Sequence, residues 1–279
     1  MSNDLDALVA PWPDPSAAAL AVTNADRALG RAGDTTRISC IASISKVIAA
    51  LAVLVAVEEG TIDLDEAAGP AGSTVRHLLA HASGLAFDDH TSLAAVGQRR
   101  IYSNAGIEQV AQHLATRAAM AFTDYQHEAV LAPLAMTSTY LEGSPAQGVY
   151  SNVEDLTLLA RELMRPTLID EATLAEATTA QFPDLRGMVP GFGSHDPNPW
   201  GLGIELRGTK SPHWTAAGNS AQTFGHFGGT GTYLWVDPTF DLAAVAISGT
   251  PYGPWANEAW PTTNEAIIAR YGAPGVGGT

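Results

Sequence analysis

Lys46 is one of only two lysines in the chain, and it interrupts the apolar stretch between Ile38 and Val57. It follows Ser43 by three residues, a spacing that places both side chains on one helical face about a turn apart. In an apolar setting the ammonium is disfavoured, so a neutral amine can take the serine proton and leave an oxygen nucleophile. The structural alternative is a lysine that snorkels from a core helix beside an incidental serine. The pair therefore needs partners. Tyr102-Ser-Asn104 offers a phenol and an amide on a loop entering a helix. A phenol can relay a proton, and an amide can hold the lysine or a substrate carbonyl. Read alone, that tripeptide is also an ordinary turn. Further on, Gly225-His-Phe-Gly-Gly-Thr-Gly-Thr232 leads into a strand. Glycines there allow close approach, so backbone N–H groups can face a bound carbonyl.

The elements that must position these groups follow from hydrophobic period. Residues 17–23 and 28–37 read as two strands around a turn, followed by a buried helix over 43–59. Helical steps of three and four dominate from 61 to 193, with helices expected over 106–117, 123–131 and 154–165. Strand patterns return at 201–207, 232–237 and 242–248, and a last helix covers 262–270 before a Gly-rich tail, 272–279, expected to fray. Strands, helices, strands and helix in that order predict an α/β (α+β) framework. Residues 1–60 and 194–279 would form a sheet lobe, and 61–193 an inserted helical lobe. No internal repeat is visible.

Composition narrows the function classes. The 279 residues are 46% hydrophobic and 15% charged, enough for a sizeable core. With 14 basic and 29 acidic residues the formal charge is −15, which argues against nucleic acid and anionic membranes as partners. The single cysteine, Cys40, cannot form an internal disulfide and reads as a small buried hydrophobe. The N-terminus carries aspartates where an export signal needs Lys or Arg, and the apolar run from Val47 to Val57 is too short to span a membrane. A soluble cytoplasmic protein is the expectation.

Rival sites are weak. His77 and His81 lie four apart, but Leu78 stands where a metalloprotease needs glutamate, so a structural role is expected. Gly-x-Ser-x-Gly is missing, and the glycines after Gly225 lack dinucleotide-binding spacing. Asp88, Asp89 and His90 read as a solvated loop more readily than a cation site, and Trp200, Trp214 and Trp235 as sheet packing more readily than cleft lining. No metal or other cofactor is expected.

Ser43-Ile-Ser-Lys46, Tyr102-Ser-Asn104 and His226-Phe-Gly228 together resemble the ordered motifs of the serine β-lactamase and penicillin-binding-protein family. The likeness is nearest the branch that holds class C β-lactamases, β-lactamase-like esterases and D-aminopeptidases. The related class A pattern instead carries Ser-Asp-Asn and Lys-Thr-Gly as its second and third elements. His77-Leu-Leu-Ala-His-Ala-Ser-Gly-Leu85, Pro133-Leu-Ala-Met-Thr-Ser-Thr139 and Trp200-Gly-Leu-Gly203 resemble further segments of the branch, so the likeness runs from about 18 to 271. It implies an antiparallel sheet flanked by terminal helices, with an all-helical insert. It also implies that Ser43 is acylated and that Lys46 and Tyr102 share the proton work, either being the base. Asn104, His226 and Gly228 would bind substrate, and the backbone N–H groups of Ser43 and Gly229 would form the oxyanion hole.

The expected activity is a serine hydrolase acting through an acyl-enzyme on a small ester or amide, of carboxylesterase or amidase type. The alternatives are a β-lactamase or D-alanyl-D-alanine peptidase, and a catalytically idle binding or sensing protein. His226 stands where β-lactamases carry a lysine. With an ordinary pKa of about 6.5 it brings little charge to a substrate carboxylate, so esters are expected to be better substrates than β-lactams. Oligomeric state is not legible.

Overall fold

The computed structural model describes residues 5–272. A short helix α1 (Asp6–Val9) precedes strands β1 (Ala19–Thr23) and β2 (Ala28–Ala32). Strand β3 (Ser39–Cys40) and a 3₁₀ turn (Ala42–Ile44) lead into α2 (Ser45–Glu58). Helices α3 (Val75–Leu79), α4 (Asn104–Ala118) and α5 (Phe122–Gln126) follow, the last continuing into a π turn (His127–Leu131). Strands β4 (Tyr140–Leu141) and β5 (Val149–Ser151) join β3 in a small sheet of order β3-β5-β4, ahead of α6 (Val153–Glu162) and α7 (Glu171–Ala177). The hairpin of β6 (Gly187–Val189) and β7 (Gly193–His195) precedes β8 (Glu205–Leu206), β9 (Phe224–Gly228), β10 (Thr232–Asp237) and β11 (Leu242–Ile247). Helix α8 (Pro254–Tyr271) closes the chain.

The main sheet has six strands in the order β2-β1-β11-β10-β9-β8, each pair antiparallel. Its central strands are buried on both faces, and their side chains alternate between two cores as a pleated strand requires. Ala19, Ala21, Leu234, Val236, Val245 and Ile247 face the cluster that contains α2. Leu20, Val22, Tyr233, Trp235, Ala244 and Ala246 face the cluster formed with α1 and α8. Helix α2 is apolar around nearly its whole circumference, the pattern of a helix enclosed on all sides. It lies between the sheet and the helices that follow it.

Antiparallel sheet and packed helices are the expected class, but several boundaries differ. The second strand stops at Ala32, where Asp34 Oδ1 accepts from Thr36 N at 3.1 Å and turns the chain. The strand expected over 201–207 shrinks to β8, because Gly203 adopts φ +71 and packs against Ala50 of α2. The helix expected over 123–131 divides into α5 and a π turn. The last helix starts at Pro254, eight residues early, and carries Pro261 inside it. Proline at a first helical position is favourable, so Pro254 is a start signal that the interior proline obscured. Residues 273–279 of the expected frayed tail lie outside the described residues, as do 1–4. Among the described residues no helix is long and apolar enough to cross a membrane.

Candidate active site

Ser43 lies in the 3₁₀ turn before α2, two residues ahead of the helix in which it was expected. Ala42 beside it has φ 45, the left-handed region that alanine avoids. Surrounding bonds hold the turn. Ser45 Oγ donates to Ala42 O at 2.5 Å and accepts from Val149 N at 3.0 Å. Thr230 Oγ1 donates to Cys40 O at 2.7 Å, and Thr232 Oγ1 to Ile41 O at 3.0 Å. The β9–β10 turn is thereby sewn to the nucleophile's segment. Gly228 permits the contact, since a Cβ there would run into Ile41 O and Thr232 Oγ1. The third motif sits on β9 itself, not merely ahead of a strand.

Lys46 Nζ is fully buried and has three neighbours. Asn104 Oδ1 lies at 2.6 Å, Ala146 O at 2.8 Å and Ser43 Oγ at 3.2 Å. Burial brings its pKa down to about 7, against the pull of Asp88 and Glu108. A neutral amine has two N–H groups. The Asn104 and Ala146 oxygens only accept, so both N–H groups go to them and the lone pair faces the serine hydroxyl. Asn104 is itself oriented, because its Nδ2 donates to Asp88 Oδ1 at 2.7 Å. Asp88 lies in the exposed loop expected for it and is also a structural partner of the site.

Tyr102 and Asn104 sit at the start of α4, whose Ser103 N-cap accepts from Gly106 N at 3.0 Å. The Tyr102 hydroxyl lies 3.3 Å from His226 Nε2, with the Ser43 hydroxyl beside it. Burial pushes the phenol well above its usual pKa range, only partly opposed by the nearby Ser43 hydroxyl. His226 Nδ1 donates to Phe227 O at 2.6 Å, which leaves Nε2 as the acceptor for the phenol. Burial first, and then the Lys46 charge, bring His226 down to about 4, so the ring is neutral at physiological pH. Ser43, Tyr102, Trp200, His226 and Gly229 line one cavity of about 150 Å³. Trp200 therefore borders the cleft, contrary to its expected packing role, while Trp214 and Trp235 belong to the α8-side core.

Other residues of this neighbourhood were expected to be structural only, or, like Glu205, were not singled out in the sequence. The His81 ring packs at a tilt against Tyr102, centroids 4.7 Å apart, and accepts from Ser103 N at 3.2 Å, whereas His77 turns away to stack on Phe182 at 4.4 Å. Glu205 lines the cavity and is fully buried. Its Oε1 accepts from Lys210 Nζ at 2.7 Å and lies 3.2 Å from His213 Nε2, while Oε2 accepts from Trp214 Nε1 at 2.7 Å. Burial alone would push this carboxyl up, but Lys210 and His213 outweigh it and hold the carboxyl well below its usual range. Cys40 is half-buried on β3 rather than enclosed. Among the described residues, no group of three or more His, Cys, Asp or Glu is placed to hold a metal.

The fold is that of the β-lactamase and transpeptidase-like proteins, with the three motifs converging at the edge of its sheet. The β-lactamase family profile matches residues 5–266, and the chain belongs to the β-lactamase family. A crystal structure of a β-lactamase from Mycobacterium bovis is 46% identical, with a TM-score of 0.94 over 96% of this chain and 100% of that one. Simvastatin synthase (LovD) from Aspergillus terreus is 16% identical, with a TM-score of 0.76 over 96% and 99% of the two chains. EstCE1, a hydrolase with promiscuous acyltransferase activity, is 15% identical with a TM-score of 0.74 over 90% and 93%. The last two are likenesses of fold. No curated protein matches the sequence.

Proposed function

We propose that the protein is a serine hydrolase that forms an acyl-enzyme on Ser43 with a small ester or amide. The observation that carries this reading is the Lys46 amine, whose two N–H groups are engaged by Asn104 and Ala146 so that its lone pair faces Ser43 Oγ at 3.2 Å. Lys46 takes the hydroxyl proton as Oγ attacks the substrate carbonyl. With its pKa near 7 it is a competent base, whereas the phenol of Tyr102 stays protonated. Backbone N–H groups of Ser43 and Gly229 hold the developing oxyanion, typically worth ~3 kcal/mol per donor. As the carbonyl re-forms, the C–O or C–N bond breaks and the leaving group takes the proton of the Lys46 ammonium, directly or by way of the Tyr102 hydroxyl, which restores the neutral amine. Water then attacks the acyl-enzyme, giving a proton to Lys46, which returns it to Ser43 Oγ as the acyl–oxygen bond breaks and the acid is released.

β-Lactam hydrolysis is the second reading, favoured by the Mycobacterium bovis β-lactamase. The neutral His226, with both ring nitrogens engaged by protein, weighs against it because it supplies no charge for a carboxylate beside the scissile bond. A fluorophosphonate probe tests the nucleophile. Intact mass should show one adduct in the wild type and none in Ser43→Ala. Equal labelling of both proteins would remove Ser43 from the mechanism.

A further inference from the structure

Beyond the catalytic cavity, the chain ahead of Tyr102 runs beside the hairpin strand β6. Arg100 and Gly187 form a parallel bridge, with Arg100 N donating to Arg186 O at 2.9 Å. Successive residues of paired extended chains point to opposite sides. The Arg100 side chain goes inward, where its guanidinium donates to the carbonyls of Ala80, Gln181, Phe182 and Asn198. Its flanking residues Arg99 and Ile101, and Arg186 and Met188 around Gly187, line a groove of about 620 Å³. This groove runs into the catalytic cavity, since Phe87, Tyr102 and Pro190 belong to both walls.

Arg99 and Arg186 are exposed, and neither forms an ion pair among the described residues. Arg99 makes one long bond, from Nη2 to Leu93 O at 3.3 Å. None of the groove's lining residues is acidic, although the protein as a whole carries −15. Two guanidiniums without counter-charges at the mouth of a cleft give a local positive field within an acidic molecule, and such a field concentrates anions. Around them Phe87 and Met188 are large apolar side chains left open to solvent, 49% and 66% exposed.

We propose that this groove binds the distal, anionic end of the substrate: an ester or amide whose acyl arm carries a carboxylate or phosphate several bonds from the scissile carbonyl. The proposal rests on Ser43 acylation and specifies its substrate class. The carbonyl sits at Ser43, the apolar part of the arm lies along Phe87, Ile101 and Met188, and the oxyanion meets Arg99 and Arg186. Guanidinium forks suit both carboxylate and phosphate. Charge recognition is thereby moved away from the reacting bond, where His226 is neutral, to the outer end of the cleft.

Three p-nitrophenyl esters of matched acyl length test it: the neutral hexanoate, the hemi-adipate and the 5-phosphonopentanoate. Wild-type kcat/KM should favour at least one anionic ester over hexanoate by roughly tenfold, and the preferred anion identifies the oxyanion. For partly exposed pairs each guanidinium should account for about three- to tenfold of that ratio. Arg99→Gln/Arg186→Gln should bring the ratio near one through KM, and Arg99→Lys/Arg186→Lys should restore part of it. Calorimetry of monomethyl adipate with Ser43→Ala reads the groove without turnover, and this binding should weaken when both arginines are also replaced by glutamine. Ester turnover with a ratio near one, or a ratio unchanged in the double glutamine variant, overturns the groove and leaves the hydrolase standing. Arginine-dependent binding to Ser43→Ala with no ester turnover in the wild type keeps the groove and overturns the hydrolase.

Discussion

Asn104 presents its oxygen, not its nitrogen, to Lys46: Oδ1 lies 2.6 Å from Nζ while Nδ2 donates to Asp88 Oδ1 at 2.7 Å. The orientation of one amide thus fixes where the lysine's lone pair points. Asn104→Asp would set a carboxylate against Nζ and favour the ammonium. Because the base must be neutral, the acylation rate should then rise at higher pH than in the wild type, whose rise is centred near 7. An alkaline displacement of about one pH unit or more is expected in single-turnover profiles. A profile that does not move would mean that Lys46 is not the titrating base.

Lys46→Met separates catalysis from stability. Acylation should fall by about 10²-fold or more, while the fold gains stability from the loss of a buried amine. The sign with pH is definite. The folded pKa lies near 7 and the unfolded value near 10.5, so between them the unfolded chain binds more protons. Wild-type stability therefore rises with pH across that window, and the contribution is lost as pH falls through 7. Urea unfolding of both proteins at several pH values should show their stability difference shrinking towards alkaline pH.

Tyr102→Phe should also slow acylation by about 10²-fold, and its effect should combine with that of Lys46→Ala less than multiplicatively because both serve one proton transfer. Since burial raises the phenol's pKa, no tyrosine ionisation should appear on the acid or neutral limb of the profile. Multiplicative losses would assign the two residues to separate steps.

Short p-nitrophenyl esters should be turned over faster than a chromogenic cephalosporin. His226, at about 4, stays neutral from mildly acid pH upward and offers no charge to the cephalosporin carboxylate. A charge-assisted bond restored by His226→Lys should improve carboxylate-bearing substrates selectively, by about tenfold. A cephalosporin kcat/KM above that of every ester would favour a β-lactamase.

The Ser43–Lys46 spacing was legible because a local period carries it, and Tyr102-Ser-Asn104 because it resembles the second of three motifs in a fixed chain order. The Glu205 cluster was not. Its partners Lys210, His213 and Trp214 occupy a segment outside the helices and strands, with no periodic pattern to mark them, and only the tertiary fold buries them. Asp88 does lie in an exposed loop, as expected, but its bond to Asn104 could not be foreseen because the partner is distant in sequence. Lengths of β8 and α8 were missed where Gly203 and Pro261 obscured the periodic pattern. Arg100 gave no signal at all, because its bonds are to backbone carbonyls, which have no sequence signature.

The left-handed alanine at position 42 sets a trap for anyone who would harden this protein against heat. Glycine tolerates that conformation, and relieving a left-handed residue is worth about 1 kcal/mol, although the glycine also loosens the unfolded chain. A screen that rewards thermal tolerance alone would therefore find Ala42→Gly attractive. Yet the alanine methyl also narrows the ways in which the serine's turn can unwind. The substitution would free the peptide next to the nucleophile, and melting temperature would not report the loss. Selection for durability at this position and selection for a fixed serine would pull the same residue in opposite directions.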